Sequence, residues 1–197
     1  MKTVLAIDCC IRGSASRTRR ILEAFLGGLN EACRVEYLRL DEENLSAMSG
    51  AFFEQRQRLL EEGRLDHPRF RYAHQFAQAD EIVIAAPFWD LSFPALLKVY
   101  IEQLCVEGIT FRTGQDGLCG TCAANNMIFL TTRGGNFENS PLEMGSRYMD
   151  AMHAFFGIGN YCCIAVDDLD TGAVDPEAVL AKAMTEAAAL AARISEE

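Results

Sequence analysis

The run Ile7-Asp8-Cys9-Cys10-Ile11-Arg12-Gly13-Ser14-Ala15-Ser16-Arg17-Thr18 decides the architecture, because it joins a short apolar strand to an amphipathic helix through small hydroxyl and thiol residues. Residues 1–7 read as a buried strand, and residues 17–29 place Ile21, Leu22, Phe25, Leu26 and Leu29 at helical spacing. A loop so placed presents backbone N–H groups at a helix N-terminus. The first amides there lack internal partners and the macrodipole is positive, so an anion such as a phosphate is favoured. Ser14, Ser16 and Thr18 add neutral donors, while Arg12, Arg17 and Arg19 can add charge. The plainer alternative is that Ser16 serves only as a helix N-cap. The segment has neither the Walker lysine pattern nor a Gly-x-Gly-x-x-Gly run.

Outward from this loop, strands and helices alternate. Residues 33–40 set Val35, Tyr37, Leu38 and Leu40 among charged residues, the pattern of an edge strand beside the first. Residues 41–63 are rich in Glu and Arg and lack a clean apolar stripe. They read as a variable insertion, weakly helical through Phe52, Phe53, Leu59 and Leu60, which either fills space or lines a substrate or partner surface. His67-Pro68 opens a helix reaching residue 79. Residues 81–86 are apolar on both faces, as a central parallel strand requires, and stop at Pro87. A helix over 94–105 with Pro94 in its first turn, a strand over 127–132 ending at Arg133-Gly134-Gly135, a helix over 141–156, a strand over 161–166 and an alanine-rich helix over 175–194 complete the pattern. Neither repeat nor linker interrupts it, so residues 1–197 read as a single domain.

Five strands with intervening helices predict an α/β fold. Its doubly wound five-stranded parallel sheet, in the order 2-1-3-4-5, carries helices on both faces, since parallel strands need crossovers and those are right-handed. Ligands of such sheets bind beyond the strands' carboxyl ends at the switch point, here between strands 1 and 3. The loops over 9–18, 87–93 and 133–137 end there. The first suits a phosphate. Phe88, Trp89, Leu91, Gly134 and Gly135 supply the flat apolar walls and close backbone that a flavin mononucleotide ring needs. The alternative makes Phe88 and Trp89, the only tryptophan, core or interface aromatics.

The formal net charge of −10 excludes an extended nucleic-acid or anionic-membrane surface, so an anionic ligand must be bound locally. No apolar run is long enough to cross a bilayer and no secretory signal is evident, so a cytoplasmic location is expected. The eight cysteines include the adjacent pairs Cys9-Cys10 and Cys162-Cys163, a poor arrangement for disulfide stapling, which points to reduced thiols. Cys119 and Cys122 have dithiol spacing but lie in a Gly-rich loop ahead of a strand, where no helix dipole would favour a thiolate, and no second pair of ligands completes a metal motif. His67, His74 and His153 read as ordinary helix residues, with His153 the one that would reach a dimer pocket.

Ser16-Arg17-Thr18, Ala86-Pro87-Phe88-Trp89-Asp90-Leu91 with Leu97-Lys98 downstream, Gly108-Ile109-Thr110-Phe111-Arg112, and Thr132-Arg133-Gly134-Gly135 together carry a resemblance spanning residues 4 to 166. The chain resembles the FMN-dependent NADH:azoreductase family, relatives of NAD(P)H:quinone oxidoreductase within the flavodoxin-like fold. The resemblance implies FMN held through its phosphate by Cys10, Ser16, Arg17 and Thr18, with Pro87, Phe88, Trp89, Asp90 and Leu91 and then Thr132, Arg133, Gly134 and Gly135 around the ring. It implies NADH or NADPH as co-substrate, hydride passing to the flavin and then to a quinone, azo compound or related small-molecule acceptor, and a homodimer with both active sites at its interface. No side chain is obligatory as nucleophile or base. Two residues depart from the family pattern. Cys10 stands where a serine is usual, and a thiol is the poorer donor; Asp90 stands where asparagine is usual, and its charge would disfavour an anionic reduced ring. The competing reading is a flavodoxin-like FMN electron carrier acting with protein partners.

Overall fold

Val4, Leu5, Ala6 and Ile7 are wholly buried, so β1 (Lys2–Asp8) can only be the middle of a sheet covered on both faces. The computed structural model, which describes residues 1–115 and 117–196, continues with α1 (Arg17–Gly27), β2 (Cys33–Arg39), α2 (Gly50–Glu61), α3 (Arg71–Gln78), β3 (Glu81–Ala85) and α4 (Ala95–Leu104). A hairpin of β4 (Phe111–Gly114) and β5 (Gly117–Gly120) follows, then β6 (Asn126–Thr132), α5 (Gly145–Phe156), β7 (Asn160–Val166) and α6 (Pro176–Glu196). The main sheet runs β2-β1-β3-β6-β7 and all its pairings are parallel, which in sheet strands is the expected order 2-1-3-4-5.

Side-chain alternation sorts the strands into two cores. Leu5, Ile7, Ile82, Ile84 and Phe129 meet Tyr72, Phe76, Leu97, Tyr100, Met149 and Phe156 from α3, α4 and α5. Val4, Ala6, Val83, Ala85, Ile128 and Leu130 meet Ile21, Leu22, Phe25, Leu180, Leu190 and Ile194 from α1 and α6. Every loop leaving a strand's carboxyl end therefore emerges at one rim, and the first, third and fourth strands of the sheet deliver theirs side by side.

Three expectations needed correction. The Gly-rich stretch around Cys119 is strand β5, paired antiparallel with β4 from Phe111↔Gly120 to Gly114↔Gly117. Four-residue strands studded with Gly114, Gly117 and Gly120 have too little apolar alternation to read from sequence. The helix expected from residue 141 begins at Gly145, and the one expected from His67 is a 3-10 turn, Pro68–Phe70, leading into α3. The insertion over 41–63 is half helix, and α2 buries only Leu59.

The hairpin is seated on the end of α5 by Gly120: a Cβ there would stand 2.0 Å from the carbonyl carbon of Phe156 and 2.1 Å from the nitrogen of Gly157. Both neighbours are backbone and cannot step aside. Gly120→Ala should therefore lower stability by about 2–4 kcal/mol, measurable as a reduced urea midpoint.

Candidate active site

The site begins with a buried charge. Asp8 ends β1 and is fully buried; its carboxylate accepts from Tyr37 Oη at 2.6 Å, Arg19 Nε at 2.8 Å and the backbone N–H of Cys10 at 2.8 Å. Arg19 also donates to the Cys10 carbonyl at 3.2 Å. One carboxylate thus ties β1 to β2, to α1 and to the turn between them. Gly13, at φ +57°, allows that turn to reverse before Ser16. Ser16 Oγ accepts from the Arg19 N–H at 3.2 Å, so the N-cap reading of Ser16 is correct as local structure. The Arg17 and Thr18 amides, first in the helix, have no intrahelical acceptor and remain for a ligand.

These groups open into a cleft lined by Ile11, Arg12, Ser16, Arg17, Thr18, Pro87, Phe88, Trp89, Thr132, Arg133, Gly134, Leu169 and Asp170. Its space, mouth included, is about 530 Å³. All three expected loops meet there. Thr18 and Thr132 share a hydroxyl bond of 2.6 Å, which uses one of their two protons and leaves the other for an anion. Phe88 N–H donates to the Thr132 carbonyl at 3.1 Å, fixing the middle loop to β6. Trp89 is 43% exposed and forms the outer wall.

Several expected residues are placed differently. Cys10 is 2% exposed and does not line the cleft; its thiol donates toward the Ala85 carbonyl at 3.6 Å, inside the core. Asp90 and Leu91 lie outside it too, as the two central residues of a tight turn closed by Trp89 and Ser92, with φ of 48° and 66°. A turn with two positive φ values tolerates Asp better than most side chains, so conformation accounts for Asp90 here. Gly135 stays behind the wall and accepts from the Asp168 N–H at 3.1 Å.

Arg133 lines the cleft with its charge already used. Its guanidinium is 5% exposed and lies 3.2 Å from Glu143 Oε1 and 3.3 Å from Asp167 Oδ2, with the Phe88 ring 5.5 Å away. Phe88 packs in turn on Phe137, their centroids 4.6 Å apart. Arg133 therefore braces the aromatic wall. Arg17 pairs with Asp170 at 2.8 Å across the mouth, both exposed, whereas Arg12 makes no ion pair among the described residues. Leu169 and Asp170, together with Asp8 and Tyr37, were not anticipated; the run Asp167-Asp168-Leu169-Asp170 just after the last strand was the available signal. Gly134 lets that run close in, since a Cβ there would be 2.7 Å from Asp170 Oδ2.

The cleft fits a phosphate-bearing ligand with a flat ring. Free amides and hydroxyls stand at the α1 end, and aromatic faces with close backbone stand at the other. Cys119 and Cys122 take no part: Cys122 packs beside the Thr110 carbonyl at 3.7 Å, and burial pushes its thiol up to about 12.

Comparison with known proteins identifies the family and the fold. A family model described as flavodoxin-like fold matches residues 2–191. An FMN-dependent NADH:quinone oxidoreductase of Lachnoclostridium phytofermentans is 33% identical over 182 residues, covering 90% of this chain and 92% of that protein. The FMN-dependent NADH:quinone oxidoreductase 2 of Clostridium acetobutylicum is 44% identical over 118 residues, 58% of this chain, so the chain spans 59% of that relative's length. The crystal structure of an azoreductase from Bacillus anthracis superposes with a TM-score of 0.86 at 26% identity, covering 98% of this chain and 100% of that one. The chain belongs to the flavodoxin-like family, and the relatives it matches include proteins named FMN-dependent NADH:quinone oxidoreductases.

Two outcomes follow from the site's chemistry. Asp8→Asn keeps the shape but leaves the mostly buried Arg19 without its counter-charge, and should cost about 2–4 kcal/mol while loosening α1, read together as a lower urea midpoint and weaker ligand retention. Burial pushes the Cys9 and Cys163 thiols up to about 12, as it does Cys122. The folded chain holds these protons where the unfolded chain, ionising near 9.0, releases them. The stability they contribute is complete below pH 9 and is lost as pH rises toward 12. Under reducing conditions, unfolding free energy should therefore be lower at pH 10 than at pH 8.

Proposed function

We propose that this protein is an FMN-dependent NADH:quinone oxidoreductase that also accepts azo compounds and related electrophiles. The observation that carries this reading is the meeting of the unpaired α1 amides with the Phe88 and Trp89 wall in one cleft at the sheet's switch point. Bound there, FMN would supply the hydride chemistry between nicotinamide and acceptor. The protein's own contribution is placement. The Arg17 and Thr18 amides, the Ser16 and Thr18 hydroxyls and the Arg12 guanidinium hold the phosphate, while Phe88 and Trp89 wall the ring and Arg133 keeps Phe88 in position. Gly134 brings backbone close to the ring's edge. The lining offers no residue set for nucleophilic attack, which suits a reaction whose bonds are made and broken on cofactor and substrates.

The same reading includes a homodimer. Trp89, Leu91, Leu142 and Met144 are 41–54% exposed. They adjoin through the Met144 N–H donating to the Leu91 carbonyl at 2.9 Å. A second copy covering this apolar rim would complete the cleft and exclude water from it. The eight free cysteines suit a reducing cytoplasm.

The purified protein should show flavin absorption bands, alone or after addition of FMN. They should bleach with NADH or NADPH under anaerobic conditions and return when a soluble quinone is added. Bands that neither nucleotide bleaches would assign the protein to electron carriers instead, and failure to bind FMN would overturn the cofactor site.

A further inference from the structure

Among the described residues that line the cleft, Asp170 alone is acidic. Its place is set by backbone. Asp168, at φ +65°, turns the chain out of β7, and the amides of Asp168, Leu169 and Asp170 donate to the carbonyls of Gly135, Arg133 and Gly134 at 3.1, 3.3 and 2.9 Å. The segment is thereby strapped along the loop after β6, and a short side chain on that fixed backbone keeps its charge beside the cleft. Gly134 makes room for it, since a Cβ there would stand 2.7 Å from Asp170 Oδ2. The other oxygen, Oδ1, accepts from Arg17 Nη1 at 2.8 Å. That bond occupies one of the several N–H donors a guanidinium carries. Arg17 is the movable member of the pair, because its long side chain projects, partly exposed, from the first turn of α1.

Resting on the FMN reading above, we infer that Asp170 is a specificity-determining residue: by holding the Arg17 guanidinium at the mouth and facing the same end of the cleft, it lowers the preference for phosphorylated over unphosphorylated flavin. A flavin phosphate carries roughly two negative charges at neutral pH. Bound at the Arg17 and Thr18 amides, it lies at the foot of the Arg17 side chain, and Arg17 can answer its charge only by giving up Asp170. An exposed ion pair of this kind is weak, so the exchange of partners is open, yet the carboxylate stays where the backbone holds it and opposes the dianion. The ring and ribityl chain are common to both flavins, so Asp170 acts on the phosphate alone when the two are compared. A second pair joins the same helix to the start of α6: Arg20 meets Glu177 at 3.0 and 2.8 Å, one turn further along and outside the cleft lining. It supplies a control of equal charge.

The test compares dissociation constants for FMN and riboflavin, read by quenching of flavin fluorescence on titration with the full chain freed of any flavin it carries, at low ionic strength. Asp170→Asn keeps the side-chain shape and should raise the ratio of the riboflavin constant to the FMN constant about fivefold, with the gain shrinking as salt is added. Arg17→Gln introduced together with it should remove most of that gain. Glu177→Gln makes the same change of charge outside the cleft and should leave the ratio where it was. A ratio that Asp170→Asn leaves unmoved or lowers, or that Glu177→Gln raises as far, would overturn the inference while FMN binding by the unaltered chain upholds the cofactor reading. Equal weakening of both flavins would assign Asp170 a purely structural part in the loop and overturn it as well. An unaltered chain that binds neither flavin would overturn the cofactor reading and this inference with it.

Discussion

The bond network around Asp8 is the constraint on which the site depends. A carboxylate at the carboxyl end of a central strand is far from bulk water, and its ionised form is tolerable only if its lone pairs are filled. Arg19, Tyr37 and the Cys10 amide fill them. Because these donors come from α1, β2 and the intervening turn, satisfying the charge also fixes where the helix starts. The amides of Arg17 and Thr18 are thereby aimed into the cleft. Removing the carboxylate would free all three donors, since each is held by the same two oxygens.

Arg133 plays the complementary part on the other side of β3. Its charge meets Glu143 and Asp167, which come from the approach to α5 and from the loop after β7. Asp167 in turn accepts from the Phe137 N–H at 2.8 Å. A buried anion neutralised at β1 and a buried cation neutralised at β6 thus flank the Pro87-Phe88-Trp89 loop. The charges inside these clusters are spent on positioning, so what the cleft offers to an anion is backbone amides, hydroxyls and Arg12, which makes no ion pair among the described residues. This resolves the tension between an acidic chain and an anionic ligand. At physiological salt the repulsion from distant carboxylates is screened over about 8 Å, while the helix-terminal N–H groups act at contact distance.

Much of this was legible beforehand. Continuous apolar runs at β1, β3 and β6 mark buried parallel strands, and the hydroxyl-rich turn before α1 marks one end of the cleft. Phe88 and Trp89 after Pro87 mark its aromatic wall. What escaped reading depended on partners distant in sequence. The β4–β5 hairpin has too few side chains to alternate and is defined by Gly120 against Phe156 and Gly157. Cys10 occupies a position in the loop motif, yet its thiol turns into the core toward the Ala85 carbonyl while its amide donates to the Asp8 carboxylate. Asp90 reads as a charge beside the ring, whereas the backbone shows it serving a turn that needs positive φ.

The sequence by itself determined the parallel α/β order and the three loops that meet in one cleft at the sheet's rim, because hydrophobic periodicity and helix-start chemistry are local. Only the tertiary structure decided which polar groups are spent on one another and which remain for a ligand. Arg17 meets Asp170 across 153 positions, Thr18 meets Thr132 across 114, and Arg133 is neutralised while Arg12 is not. Charge pairing is a property of distances in space, and neither composition nor spacing along the chain encodes it.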